Sequence, residues 1–181
     1  MPDPEFTLLG DALWLDFVNT ARGRSAAPPD QLPDPAAYHR WTKAEKLLSD
    51  VDAVPFPVVL AFRRELTLLA EALSAGRQPP ASAIAAINAR LSGQPGHEQL
   101  IRTAGAWELP FAPARPALAL DAVARSAALT LADRARTVRR CAGDPCSLLF
   151  LDASTTQSRR WCSSAACGGR GRIERRRGLQ R

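Results

Sequence analysis

Four cysteines lie in the last third of the chain and nowhere else: Cys141, Cys146, Cys162 and Cys167. They form two C-x4-C pairs separated by fifteen residues. Two close pairs at about fifteen to twenty residues are the layout of a four-thiolate zinc site, in which each short loop turns two sulfurs toward one ion. Disulfides and free or redox-sensing thiols are the competing states. Disulfides require an oxidising compartment, and the opening MPDPEFTLLG lacks the basic n-region of a secretory signal. The only histidines are His39 and His97, both remote in sequence. All four ligands would be sulfur, leaving no open position for water, so one structural Zn2+ per chain is expected rather than a catalytic one.

Charge is segregated around these thiols. Residues 134–181 hold twelve arginines against Asp144, Asp152 and Glu174, a net of +9, whereas residues 1–133 carry a net of −3. Both lysines, Lys43 and Lys46, fall outside the basic segment. Arginine presents a planar fork of donors suited to phosphate and to the guanine edge. A basic segment on a mildly acidic body is the footprint of a nucleic-acid module, with a merely solubilising tail as the bland alternative. Arg159 and Arg160 are expected to grip phosphate. Arg170, Arg172, Arg175, Arg176 and Arg177 are expected on a helix after Gly168-Gly169, positioned to reach backbone or groove. The apolar run 147–151 and the segment 159–162 read as two strands of a hairpin. That hairpin would put Phe150 or Leu149 beside Trp161, with Trp161 in a small core rather than serving as a base-stacking platform.

The stretch CAGDPCSLLFLDASTTQSRRWCSSAACGGR resembles the CGNR zinc finger, a bacterial module. Its C-x4-C, LFLD, RRWC and final C-G-x-R all match here, with Gly169 where the family carries Asn. The resemblance implies zinc held by the four cysteines and a bacterial protein.

The elements that must carry this module read as mainly α-helical. Leu13, Trp14, Phe17 and Val18 share one side of a helix over 11–21. After a proline-rich loop at 28–33, Asp34 caps a helix with Pro35 at its first position, burying Tyr38, Trp41, Ala44 and Leu48. Helices follow over 56–75, stopped by Gly76, and over 80–91. Residues 98–111 read as a short β-hairpin with Leu100 and Trp107 available for packing. A long helix over 116–140, striped by Leu120, Val123, Ala127, Leu131, Ala135 and Val138, would feed directly into Cys141. The expected architecture is thus a helical domain with a short β-hairpin over 1–137 and a small zinc-binding β-hairpin/helix module with four cysteine ligands over 138–181.

Asp16, Asn19 and Thr20 share a helix face and form the one polar cluster of the body that invites a functional reading, a small-molecule effector site. The structural alternative has Asn19 and Thr20 bonding to backbone and Asp16 paired with an arginine. The segment LGDALWLDFVNTARGR resembles the start of the ABATE domain, through Leu15-Asp16-Phe17-Val18-Asn19-Thr20 and Arg22. That resemblance implies a transcription regulator linked to stress.

No phosphate-cradling glycine loop, nucleophile elbow or zinc-protease helix occurs, so no enzyme is expected. No apolar run is long enough for a membrane span, and a cytoplasmic chain is expected. The favoured function is a zinc-dependent, DNA-binding transcription regulator whose helical domain senses a ligand or forms a homodimer. RNA binding and a protein-interaction finger are the alternatives. A site spanning two grooves would call for a dimer, but no interface is legible.

Overall fold

A computed structural model describes residues 5–93, 95–133 and 135–169. The helices are α1 (Leu13–Asn19), α2 (Pro35–Ala44), α3 (Phe56–Ser74), α4 (Ala81–Ser92) and α5 (Ala119–Ala132). Strands β1 (Gly96–Glu98), β2 (Ile101–Thr103), β3 (Ala106–Glu108) and β4 (Phe111–Pro113) lie between α4 and α5; β5 (Thr137–Arg140) and β6 (Leu149–Asp152) follow. A single π-helical turn spans Ser164–Gly168. The chain is mainly α with little β structure. Among the described residues no helix is long and apolar enough to cross a membrane.

The helix boundaries have local causes. Asp34 Oδ1 accepts from the Ala37 amide at 2.7 Å, with Pro35 in the first turn of α2, as an N-cap should. Gly76, at φ +66°, follows α3. There the Gly76 and Arg77 amides return to the Leu73 and Ala72 carbonyls, the left-handed closure that favours glycine.

α1 is the centre of the molecule. It packs on α3, α5 and β6, and every residue from Trp14 to Thr20 is buried. Phe17 meets Trp41 with ring centroids 5.1 Å apart, and Tyr38 stacks on Trp41 at 6.0 Å. Two of the buried polar atoms in this core find side-chain partners: Trp14 Nε1 donates to Thr130 at 3.0 Å, and Tyr38 donates to Asp50 at 2.7 Å, whereas the Trp41 indole nitrogen is buried without one among the described residues. Burying these aromatic rings supplies much of the driving force for packing, on the order of 2 kcal/mol or more per large side chain.

Four sequence expectations need correction. The helix expected over 116–140 ends at Ala132, and Thr137–Arg140 is instead strand β5. Asp133 breaks the helix: its carboxylate accepts from the Ala135 amide at 2.9 Å and from Arg136 at 2.7 Å, a local turn that competes with helical bonding. Ala135 is consequently exposed, while Val138 is buried from a strand. The zinc-module hairpin expected between 147–151 and 159–162 does not form, because β6 pairs with β5 in the register Val138–Leu151 and Arg140–Leu149. α2 does not bury Ala44 or Leu48; it stops at Ala44, Lys46 turns at φ +57°, and Leu48 is exposed. Leu100 and Trp107 are exposed rather than packed.

Candidate metal centre

Each cysteine is delivered by a different piece of backbone. Cys141 follows β5 directly, and its amide donates to the Leu148 carbonyl at 2.9 Å, extending the β5–β6 ladder by one rung. Cys146 closes a tight loop, its amide donating to the Gly143 carbonyl at 2.6 Å. The Cys162 amide donates to Cys141 Sγ at 3.4 Å. Cys167 lies in the π-helical turn, where Ser163 caps the start by accepting from the Ala166 amide at 3.2 Å.

The four sulfurs lie within 4.8 Å of one another. Cys146 and Cys162 are 3.9 Å apart, and Cys162 and Cys167 are 3.7 Å apart. A disulfide would bring a pair to roughly 2 Å, so the cysteines are not bridged. Zinc–thiolate bonds of about 2.3 Å in a tetrahedron put sulfurs roughly 3.8 Å apart, and the observed spacings fit that requirement. Cys141, Cys162 and Cys167 are buried, and Cys146 is half-buried. The donor set is all sulfur, which suits a structural zinc ion and leaves no coordination position for chemistry.

The thiols favour a cation electrostatically. The hydrogen bond from the Cys162 thiol pulls Cys146 down to about 5. That bond and burial push Cys162 up, and burial pushes Cys167 up to about 11. One thiolate is thus easy to form, and like charge then opposes ionisation of Cys162 and Cys167. A divalent cation removes that conflict by displacing the remaining protons. Space at the centre is tight: a Cβ on Gly143 would stand 3.0 Å from Cys167 Cβ and 3.4 Å from its sulfur.

A bracket of polar contacts supports the ligands. Arg159 Nε donates to the Trp161 carbonyl at 2.8 Å, Nη1 reaches Asp11 at 2.5 Å, and Nη2 donates to the Cys162 carbonyl. Its guanidinium lies 4.6 Å from the centre of the Phe150 ring. Asp152 is fully buried and accepts from the Ser154 amide at 3.0 Å, the Ser154 hydroxyl at 2.6 Å, the Arg159 amide at 3.0 Å and Arg139 Nε at 2.9 Å. Burial alone would raise this carboxyl, but those four donors hold it below the usual carboxylate range.

The free edge of β6 is gripped by the helical body. Asn19 donates to the Leu149 carbonyl at 2.8 Å and accepts from its amide at 3.0 Å. The Leu151 amide donates to the Gly10 carbonyl at 2.8 Å, and Gly23 and Ser147 exchange backbone and hydroxyl bonds. Leu149 and Leu151 belong to the main core, whereas Leu148 and Phe150 pack with the cysteines. One strand therefore serves two cores through its two faces.

The predicted site residues divide as follows. The four cysteines come together. Arg159 is engaged by the fold at its surface, as described. Arg160 is exposed and lies over the Trp161 ring at 5.4 Å. Arg170, Arg172, Arg175, Arg176 and Arg177 fall outside the described residues. Asp16, Asn19 and Thr20 are all buried. Asp16 accepts from the Gly10 amide at 2.8 Å, and Thr20 donates to the Phe17 carbonyl at 2.6 Å and accepts from Arg63 at 2.9 Å. Nothing in the sequence marks Gly10, Asp11, Gly23 or Ser147 as supports of the metal centre. A signal exists for Asn19 alone, as a member of the polar Asp16–Asn19–Thr20 face of α1.

Residues 11–140 match the ABATE family model, described as "Putative stress-induced transcription regulator". Residues 137–178 match the CGNR zinc finger. No curated protein matches the chain.

Proposed function

We propose that this chain, which belongs to the ABATE family and carries a CGNR zinc finger, is a zinc-dependent regulator that binds duplex DNA through its arginine-rich C-terminal module. The observation that carries the reading is the position of the four-sulfur centre at the root of the basic segment. A metal-organised module gives this positively charged segment a folded base from which to meet phosphate. Arg160 and Arg140 are exposed on the described part of that module and belong to the proposed contact surface with Arg170, Arg172, Arg175, Arg176 and Arg177. Arg159 contributes by holding the module in shape.

Duplex is favoured over single strands because the aromatics of the module are engaged. Phe150 is buried beneath Arg159, and Trp161 is half-buried with Arg160 over its ring. Single-strand readers need open aromatic faces for stacking. For effector sensing, the polar atoms of Asp16, Asn19 and Thr20 are used internally. The open cleft between residues 6–9, the 22–31 loop and residues 163–166 offers better access for a small molecule.

Fluorescence anisotropy of the zinc-loaded chain with a labelled duplex tests the proposal. Binding should weaken steeply with salt, at about 0.9 in log–log slope per phosphate contacted. Single-stranded DNA and structured RNA should compete less well than duplex. No binding to any duplex at low salt would remove this reading.

A further inference from the structure

Residues 95–114 form an arm that the metal centre and the regulator reading leave unused. The pairs Gly96–Pro113, Glu98–Phe111, Ile101–Glu108 and Thr103–Ala106 keep one register throughout. The Gln99 amide donates to the Pro110 carbonyl at 3.0 Å in that same register. The four short strands are therefore one antiparallel hairpin, interrupted where Pro110 lacks an amide hydrogen. Ala104 and Gly105 close it at φ +49° and +91°, a two-residue turn of the kind hairpins favour. Eight paired rows make an arm about 27 Å long.

Alternation places the side chains unevenly. One face carries Glu98 and Phe111, then Leu100 and Leu109, then Arg102 and Trp107. The other carries small or polar residues with Ile101. No residue in the strands is buried. Leu100, Trp107, Leu109 and Phe111 are 62%, 67%, 56% and 55% exposed. An isolated two-stranded hairpin is marginal in water and normally buries its apolar face, so this stripe marks an interaction surface.

We infer that the apolar face of the 95–114 arm packs against the same face of a second copy of this chain, about a twofold axis through the Leu100–Leu109 row. The order of side chains selects this occupant. In a twofold interface each residue meets its counterpart reciprocally. With the arms antiparallel, the Glu98–Phe111 row of one copy falls on the Arg102–Trp107 row of the other, and Leu100 and Leu109 meet their equivalents. Each Glu98 then faces an Arg102, and each Phe111 faces a Trp107. Within one chain Glu98 and Arg102 stand roughly 13 Å apart along the strand, too far to pair. A parallel arrangement would place Glu98 on Phe111 and Arg102 on Trp107, leaving both charges without an opposite partner. Covering the four large side chains on both arms removes on the order of 1,000 Å² from water, near the lower limit for a specific interface. The dimer does not depend on nucleic-acid binding.

Sedimentation velocity on the zinc-loaded full chain across a concentration series tests this. The wild-type chain should dimerise. Glu98→Arg and Arg102→Glu should each weaken association by on the order of tenfold or more, since every dimer contains the contact twice. Combining the two reversals should recover most of it. Circular dichroism and zinc content verify that the variants fold. The inference is overturned by a wild-type chain that stays monomeric at about 100 μM, by a dimer that both single reversals leave intact, or by a folded double variant that stays as weak as the single ones. A monomer that co-sediments with phosphatidylglycerol vesicles would assign the face to a lipid surface and equally overturn it.

Discussion

Asn19 and Leu149 exchange two hydrogen bonds across 130 residues of sequence, at 2.8 and 3.0 Å, with both residues fully buried. The amide side chain of α1 completes the backbone of the strand that leads from the metal loop, so the body and the zinc module are joined by backbone recognition as well as by apolar contact. Asn19→Ala leaves the Leu149 amide and carbonyl without partners, and each buried loss costs about 1–3 kcal/mol. Urea unfolding should show a lower midpoint. Asn19→Asp should be worse at neutral pH, because it keeps the acceptor, removes the donor and buries a charge. A midpoint unchanged by either variant would contradict the pairing.

Arg159 and Arg160 are adjacent and should behave oppositely. Arg159→Ala removes the contacts to Asp11, Trp161 and Cys162 and the packing on Phe150. Stability should drop by about 2 kcal/mol, with weaker zinc retention, and Arg159→Lys should restore only part because ammonium lacks the planar fork. Arg160→Ala should keep the melting temperature and lower the salt slope of duplex binding by about 1. Thermal melts and salt titrations on the same preparations separate the two roles.

Asp16 makes stability depend on pH. Burial, with a smaller contribution from Glu45, outweighs the Gly10 hydrogen bond and pushes its carboxyl up to about 7. Unfolded, the same group titrates near 3.9. The native state therefore holds the proton more tightly, and stability from this group is complete below about 4 and is lost as pH rises toward about 7. Asp16→Asn keeps an oxygen acceptor for Gly10 and removes the titration. The variant should come close to the wild type at about pH 4 and exceed it near pH 8, by on the order of 4 kcal/mol. Taking the difference at each pH cancels the thiols, which titrate in both chains.

Zinc removal should reach beyond the module. Val138, Leu149 and Leu151 belong to the main core, so a chelator should lower the melting temperature of the helical body as well as release one zinc per chain. Cys162→Ser should do the same without chelator. Gly143→Val, which brings a branched side chain against Cys167, should weaken zinc binding by roughly tenfold to a hundredfold. Helical signal and melting that ignore metal content would show that the two cores are independent.

The zinc centre is legible because ligand type and spacing along the chain are local properties. Cys141, Cys146, Cys162 and Cys167 can be assembled on paper from two loops and a tetrahedron. Amphipathic helices such as α3 are legible for a similar reason, since periodicity records which face is buried. The strand at 137–140 escapes a reading by period because Thr137-Val138-Arg139-Arg140 continues a helical stripe by count. Only the Asp133 turn and the partner strand at 149–152 reveal the change of period.

What the sequence by itself determined was the metal, the helical character and the segregation of positive charge. Tertiary structure decided the use of individual polar residues. Arg159 looks like a phosphate ligand and is engaged by the fold at its surface, because Asp11 arrives from a segment 148 residues away. Asn19 looks like an effector ligand and grips a strand for the same reason. Composition fixes how many charges and donors a chain has. Which of them remain available to a partner depends on long-range neighbours, and those exist only once the chain has closed on itself.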